Sequence, residues 1–83
     1  MKVTVKYFAS IREALGLGSE SVLTDAATLA ALRDELVARG GAYADALARG
    51  RSVRLAVDQV MCDETSGLVE GAEVAFFPPV TGG

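Results

Sequence analysis

The stretch from Thr28 to Arg39, TLAALRDELVAR, restricts the possible folds of this chain more than any other. Leu29, Leu32 and Leu36 recur at helical spacing with Val37 beside them, while Arg33, Asp34 and Arg39 fall largely on the other side. Thr28 suits the N-cap, and Gly40 with Gly41 supplies a left-handed stop. A helix with a single apolar stripe must bury it. The other apolar runs of this 83-residue chain are strand-like, so the stripe has to cover a sheet.

Val3-Thr4-Val5-Lys6-Tyr7-Phe8 alternates and is rich in strand formers. It places Val3, Val5 and Tyr7 on one face, and Thr4, Lys6 and Phe8 on the other. Residues Ala9 to Leu15 read as a turn of helix or a loop closed by Gly16 and Gly18, and Ser19 to Leu23 as a second strand that completes a hairpin. After the main helix, Tyr43 to Arg49 reads as a shorter helical piece with Leu47 inward, ended by Gly50. Ser52 to Val57 is a third strand, Asp58-Gln59 a two-residue turn, and Val60-Met61-Cys62 a short return strand. Asp63 to Gly67 is loop, Leu68 and Val69 are expected to plug one edge of the core, and Glu70-Gly71 is a turn. In the last strand, Glu73 to Phe77, Val74 and Phe76 face one way, Ala75 and Phe77 the other. A helix between two such halves covers one face of a mixed sheet, with first and last strands parallel at the centre. The expected fold class is therefore α+β: a β-grasp, or ubiquitin-like, roll whose sheet is covered on one face by one long helix.

Composition narrows the functions. The chain has no histidine, which removes His-based triads, His metal sites and imidazole bases. One cysteine, Cys62, excludes an internal disulfide framework and a zinc site of the usual spacing. Cys62 itself reads as a small core hydrophobe. Gly16-Leu17-Gly18 lacks the third glycine of a phosphate-binding loop, and no Gly-Lys-Ser/Thr occurs. A formal charge of -3 leaves no basic footprint for nucleic acid. No apolar run is long enough to span a bilayer, and no secretory signal pattern opens the chain, so the expected compartment is the cytoplasm. A binding or carrier protein fits better than an enzyme, with no metal and no cofactor of its own.

Two features remain as candidate sites. The first is Pro78-Pro79-Val80-Thr81-Gly82-Gly83. Consecutive prolines deny ladder donors and favour an extended path, so residues 1–77 are expected to form the domain and residues 78–83 a thin tail. Gly82 and Gly83 leave a terminal carboxylate without side-chain shielding, as an enzyme that adenylates a C-terminus in a narrow channel requires. The second is the sheet face away from the helix. Strand alternation puts Phe8, Met61 and Phe77 there, and apolar side chains clustered on an open face mark a partner site.

The chain resembles the small subunits of molybdopterin synthase over essentially its whole length. The resemblance rests on Tyr7-Phe8-Ala9-Ser10-Ile11-Arg12-Glu13, on Thr28-Leu29-Ala30-Ala31-Leu32-Arg33, and on Leu55-Ala56-Val57-Asp58-Gln59. Its most specific stretch is Gly71-Ala72-Glu73-Val74-Ala75-Phe76-Phe77-Pro78-Pro79-Val80-Thr81-Gly82-Gly83. Two departures are small: the family often has Asn where Asp58 stands, and the loop from Asp63 to Leu68 is slightly longer than usual. The resemblance implies a sulfur carrier. An E1-like adenylyltransferase would use ATP to adenylate the Gly83 carboxylate, and a sulfur donor protein would convert it to a thiocarboxylate. The large synthase subunit would take the tail into its active site, where sulfur passes to cyclic pyranopterin monophosphate. Two small and two large subunits would form a heterotetramer. Phe8, Arg12, Met61 and Phe77 would contact the large subunit, with Pro78, Pro79, Val80, Thr81 and Gly82 gripped as an extended peptide. Two alternatives share the tail chemistry up to the adenylate: a ubiquitin-like modifier joined through Gly83 to lysines, and a carrier for another product such as thiazole. The Phe77-Pro78-Pro79 ending argues against the thiazole carrier.

Overall fold

A computed structural model describes residues 1–79; residues 80–83 lie outside the described part. The order of elements is β1 (Lys2–Tyr7), α1 (Ala9–Leu15), β2 (Ser19–Leu23), α2 (Leu29–Val37), α3 (Gly41–Leu47), β3 (Arg54–Val57), β4 (Val60–Cys62) and β5 (Glu73–Phe77). The strands form one mixed sheet in the order β2-β1-β5-β3-β4. β1 and β5 run parallel at its centre, with Val5 opposite Val74 and Tyr7 opposite Phe76. The other neighbours pair antiparallel. This is the β-grasp architecture that the sequence pattern predicts.

One face of the sheet is dry. Val3, Val5, Tyr7, Val22, Leu55, Val74 and Phe76 meet Leu29, Leu32 and Leu36 of α2 and Leu47 of α3, all buried. The expected helix, Leu29 to Arg39, forms as α2 over the whole of its apolar stripe and stops just short of Arg39. Its regular part ends at Val37, and α3 begins already at Gly41, so two helices divide the cover. Gly40, at φ 78°, makes the junction in a conformation that only glycine adopts freely. Residues Ala9 to Leu15, open between helix and loop in the sequence, form helix α1, which ends at Gly16 in the left-handed conformation.

Thr28 caps α2 as expected, its Oγ1 accepting from the Ala31 N–H at 3.2 Å. The loop after β4 completes the cap: the carbonyls of Ser66 and Glu64 accept from the N–H groups of Leu29 and Ala30 at 3.0 and 2.9 Å. Asp58 and Gln59 both have positive φ, 49° and 69°, which a two-residue hairpin turn of this hand requires. Without glycine, the turn is held by Asp58, whose N–H donates to the Glu73 carbonyl and whose Oδ1 accepts from the Glu73 N–H.

Two expectations are corrected. Val69 does not plug the core; Leu68 is buried but Val69 is 66% exposed, because the chain turns there so that the Ala72 N–H can reach the Val69 carbonyl. Arg33 is not on the solvent side of α2 but buried at 5% exposure. Its guanidinium donates from Nε to the Leu47 carbonyl at 2.7 Å and from Nη2 to the carbonyls of Ala48 and Arg51 at 2.8 and 3.0 Å. It also pairs with Glu64 at 2.8 Å. These carbonyls end α3 and lead into β3, where no regular element supplies donors. A fork of N–H groups is suited to satisfy several at once.

Candidate docking face and tail root

The face of the sheet turned away from α2 and α3 carries the first candidate site. Register fixes its rows. Lys6, Ala75, Ala56 and Met61 lie across four adjacent strands, and Phe8, Phe77 and Arg54 continue the pattern towards the end where β5 leaves the sheet. Phe8 is 45% exposed, Met61 54% exposed and Phe77 half-buried. The rings of Phe8 and Phe77 meet edge to face, with centroids 6.2 Å apart. Between them and Met61 lie only the methyl groups of Ala56 and Ala75, so the patch is a shallow floor with aromatic and thioether rims.

The backbone at Phe8 explains its exposure. Its N–H still donates to the Phe76 carbonyl at 3.1 Å, which extends the β1–β5 pairing by one step. Phe8 then serves as N-cap of α1 in extended conformation, and its carbonyl accepts from Ile11 and Arg12. Ala9 stands at φ 49°, a left-handed conformation that costs a non-glycine residue roughly 1 kcal/mol. That sharp reversal turns the chain into α1 directly after Phe8 and leaves its ring beside Phe77.

Arg12, on α1, is exposed, and its side chain runs across Gly18. A β-carbon on Gly18 would stand 3.2 Å from Arg12 Nε, so the absence of a side chain there lets Arg12 lie flat. Pro78, the first residue after β5, lines an open groove of about 360 Å³ between α1 and α3, with Ser10, Ile11, Ala14, Ala46 and Arg51. Pro79 follows, half-buried. The other predicted tail residues, Val80, Thr81, Gly82 and Gly83, lie outside the described residues.

Behind the face, one polar cluster ties β1, β2 and the helices together. The Glu20 carboxylate accepts from the hydroxyls of Tyr7 and Tyr43 at 2.8 and 2.7 Å and from Arg39 at 2.9 Å. Burial pulls the Glu20 carboxyl upward, but the hydrogen bonds from Tyr43, Arg39 and Tyr7 outweigh it and hold the group below the usual carboxylate range. Burial, then the hydrogen bond to Glu20 and its charge, push the Tyr7 phenol strongly up, so it stays a donor at any working pH. Arg39 also stacks on Tyr43, 4.8 Å from the ring centroid.

Other chemistry is sparse. Cys62 is half-buried on the core side, opposite Leu55, as expected of a small hydrophobe. Among the described residues no group of three or more acidic or cysteine side chains could hold a metal. Among them, too, no helix is long and apolar enough to cross a membrane. The sequence reading did not single out Arg54, although its alternation with Leu55 already put it on the open face. It also missed the flat Ala56–Ala75 floor, which only cross-strand register reveals.

The profile of the ThiS family matches residues 5–83, nearly the whole chain. The chain belongs to the ThiS family. Within it, the chain is 41% identical over 81 residues to the molybdopterin synthase sulfur carrier subunit of Escherichia coli (strain K12), covering 98% of this chain and 99% of that protein. Among solved structures, SAMP1 from Haloferax volcanii superposes with a TM-score of 0.78 at 26% identity, covering 100% of both chains. A chain from the complex of subunits 1 and 2 of the molybdopterin-converting factor from Helicobacter pylori 26695 superposes with a TM-score of 0.70 at 25% identity, again over 100% of both. The β-grasp of this ThiS-family chain is thus shared with SAMP1 and with a chain from a complex of two subunits.

Proposed function

We propose that this protein is the sulfur carrier of a molybdopterin synthase, with residues 1–77 as docking body and residues 78–83 as the tail that bears the sulfur. The observation that carries the reading is the likeness to the Escherichia coli sulfur carrier subunit along nearly the full length of both chains, with the family profile reaching residue 83. The open apolar face at the end of the sheet where β5 gives way to Pro78 supports it. A partner that covers Phe8, Phe77 and Met61 would have the tail root at its edge.

The chemistry follows from the carboxylate. Oxide is too poor a leaving group for direct substitution, so the Gly83 carboxylate attacks the α-phosphorus of ATP in an activating enzyme and releases pyrophosphate. Hydrosulfide-level sulfur released from a donor protein then adds to the acyl carbon and AMP departs, leaving a thiocarboxylate. Sulfur in this form is ionised at neutral pH and strongly nucleophilic. In the large subunit it transfers to the pterin precursor, and water returns the tail to a carboxylate. Gly82 and Gly83 keep the approach thin, while Pro78 to Thr81 offer an extended backbone to a channel. This chain supplies no acid, base or metal to these steps; those belong to its partners. The assembly in this reading is two small and two large subunits, and the compartment is the cytoplasm.

Intact-mass analysis of the protein incubated with its activating enzyme, ATP and a sulfur donor tests the proposal. The expected product is heavier by one oxygen-to-sulfur exchange located on the C-terminal peptide. A variant with one residue added after Gly83 should fold normally and stay unmodified; sulfur transfer by that variant refutes the role of the free terminus. Conjugates through Gly83 to lysines, without thiocarboxylate, would instead establish a protein modifier.

A further inference from the structure

The open face is cationic in an acidic protein. Its strand positions hold Lys2, Lys6 and Arg54 against one carboxylate, Glu73, although the chain carries a formal charge of -3. Glu73 is already paired with Lys6 at 3.1 Å. Arg54 is exposed and stands in register opposite Phe77. Among the described residues no carboxylate reaches salt-bridge distance of Arg54 or of Arg12. The carboxylates that share the shallow cavity beside Arg54 are engaged elsewhere. Glu64 pairs with Arg33 and Arg49, and Asp63 accepts from the N–H and hydroxyl of Thr65. Glu13, next to Arg12, is exposed on α1.

Arg54 thus stands beside the Phe8–Phe77 pair from β3, while Arg12, on α1 after Phe8, lies across Gly18. An apolar patch with charged residues at its rim fits a partner with a complementary rim. We propose that the large subunit presents an acidic rim to this face, with a carboxylate facing Arg54, so that Arg54 steers and orients docking of the carrier. This inference rests on the docking face assigned above. It adds the chemistry of the partner's surface and a specificity-determining residue. Lys6 contributes less because Glu73 neutralises it, and the acidic remainder of the carrier would be turned away from the partner.

Stopped-flow association with the purified large subunit, over a series of ionic strengths, tests it. Arg54→Glu should slow association about tenfold at low salt and flatten the salt dependence. Arg54→Gln should fall between it and the wild type. Arg49→Glu makes the same change of net charge at an exposed position on the helix side of the sheet and should associate nearly as the wild type does. Far-ultraviolet circular dichroism confirms that each variant is folded. If Arg54→Glu and Arg49→Glu associate alike while Phe77→Asp abolishes binding, the docking face stands and the acidic rim is refuted. If Phe77→Asp binds like the wild type, the docking face is wrong and the acidic rim falls with it.

Discussion

Arg33→Ala should be among the most damaging single substitutions in this chain, although Arg33 belongs to neither candidate site. The Arg33 side chain is 6% exposed and satisfies three backbone carbonyls and one oxygen of Glu64. Truncation leaves the carbonyls of Leu47 and Arg51 without their donor in the segment that joins α3 to β3, while the Ala48 carbonyl keeps only the Arg51 N–H. Breaking a buried charged network by removing one member costs about 3–5 kcal/mol. The lower end applies here, because Glu64 is 30% exposed and keeps Arg49 at 2.6 Å. A domain of this size is stable by roughly 4–12 kcal/mol, so a loss of about 3 kcal/mol removes a large part of the margin. At about 4–8 °C per kcal/mol the melting temperature should drop by ~12–24 °C. Urea denaturation followed by circular dichroism gives the free energy, and an unchanged denaturant slope shows that the unfolded reference has not moved. Arg33→Lys should recover part of the loss, since one ammonium cannot span all four acceptors. Arg49→Ala, which cuts only exposed ion pairs, should be close to wild type. If Arg33→Ala costs less than about 1 kcal/mol, water replaces the guanidinium and the proposed clamp between α2 and β3 is wrong.

Two further predictions concern the docking face and pH. Phe77→Asp should weaken large-subunit binding far more than it lowers the melting temperature, because Phe77 is half-buried against Phe8 and lies outside the core; calorimetric titration beside a thermal melt separates the two, and a large drop in melting temperature with unchanged affinity would return Phe77 to the core. Glu20 predicts acid lability: its folded carboxyl titrates below the unfolded one, so between the two values the unfolded chain binds more protons. Its contribution is therefore present above the ordinary carboxylate range and is lost as pH falls through the folded value. Glu20→Gln should lower stability at neutral pH and make the decline below about pH 5 shallower. Asp63 and Glu64 are also held low, by hydrogen bonds chiefly from Thr65 and Arg49 respectively, so part of the slope should remain; an unchanged slope would remove Glu20 from the account.

Sequence by itself determined the sheet and the faces of its strands. The alternation in Val3 to Phe8 and in Glu73 to Phe77 leaves only one way to bury Val3, Val5, Tyr7, Val74 and Phe76 against Leu29, Leu32 and Leu36, and slipping by one residue would expose every one of them. The same alternation placed Phe8, Met61 and Phe77 on the open side before any coordinates. The tail reading rests on the backbone chemistry of Pro-Pro and Gly-Gly alone, and residues 80–83 lie outside the described residues. What periodicity misread is what depends on neighbours far along the chain. Arg33 lies on the polar side of its helix, yet becomes buried because α3 ends above it with carbonyls that lack donors. Val69 looks like core but is left outside by the turn that feeds β5. The candidate docking face as a surface, with its alanine floor between the Phe8–Phe77 pair and Met61, also belongs to the tertiary structure. Register across four strands and the reversal at Ala9 bring those residues together, and no local pattern encodes either one.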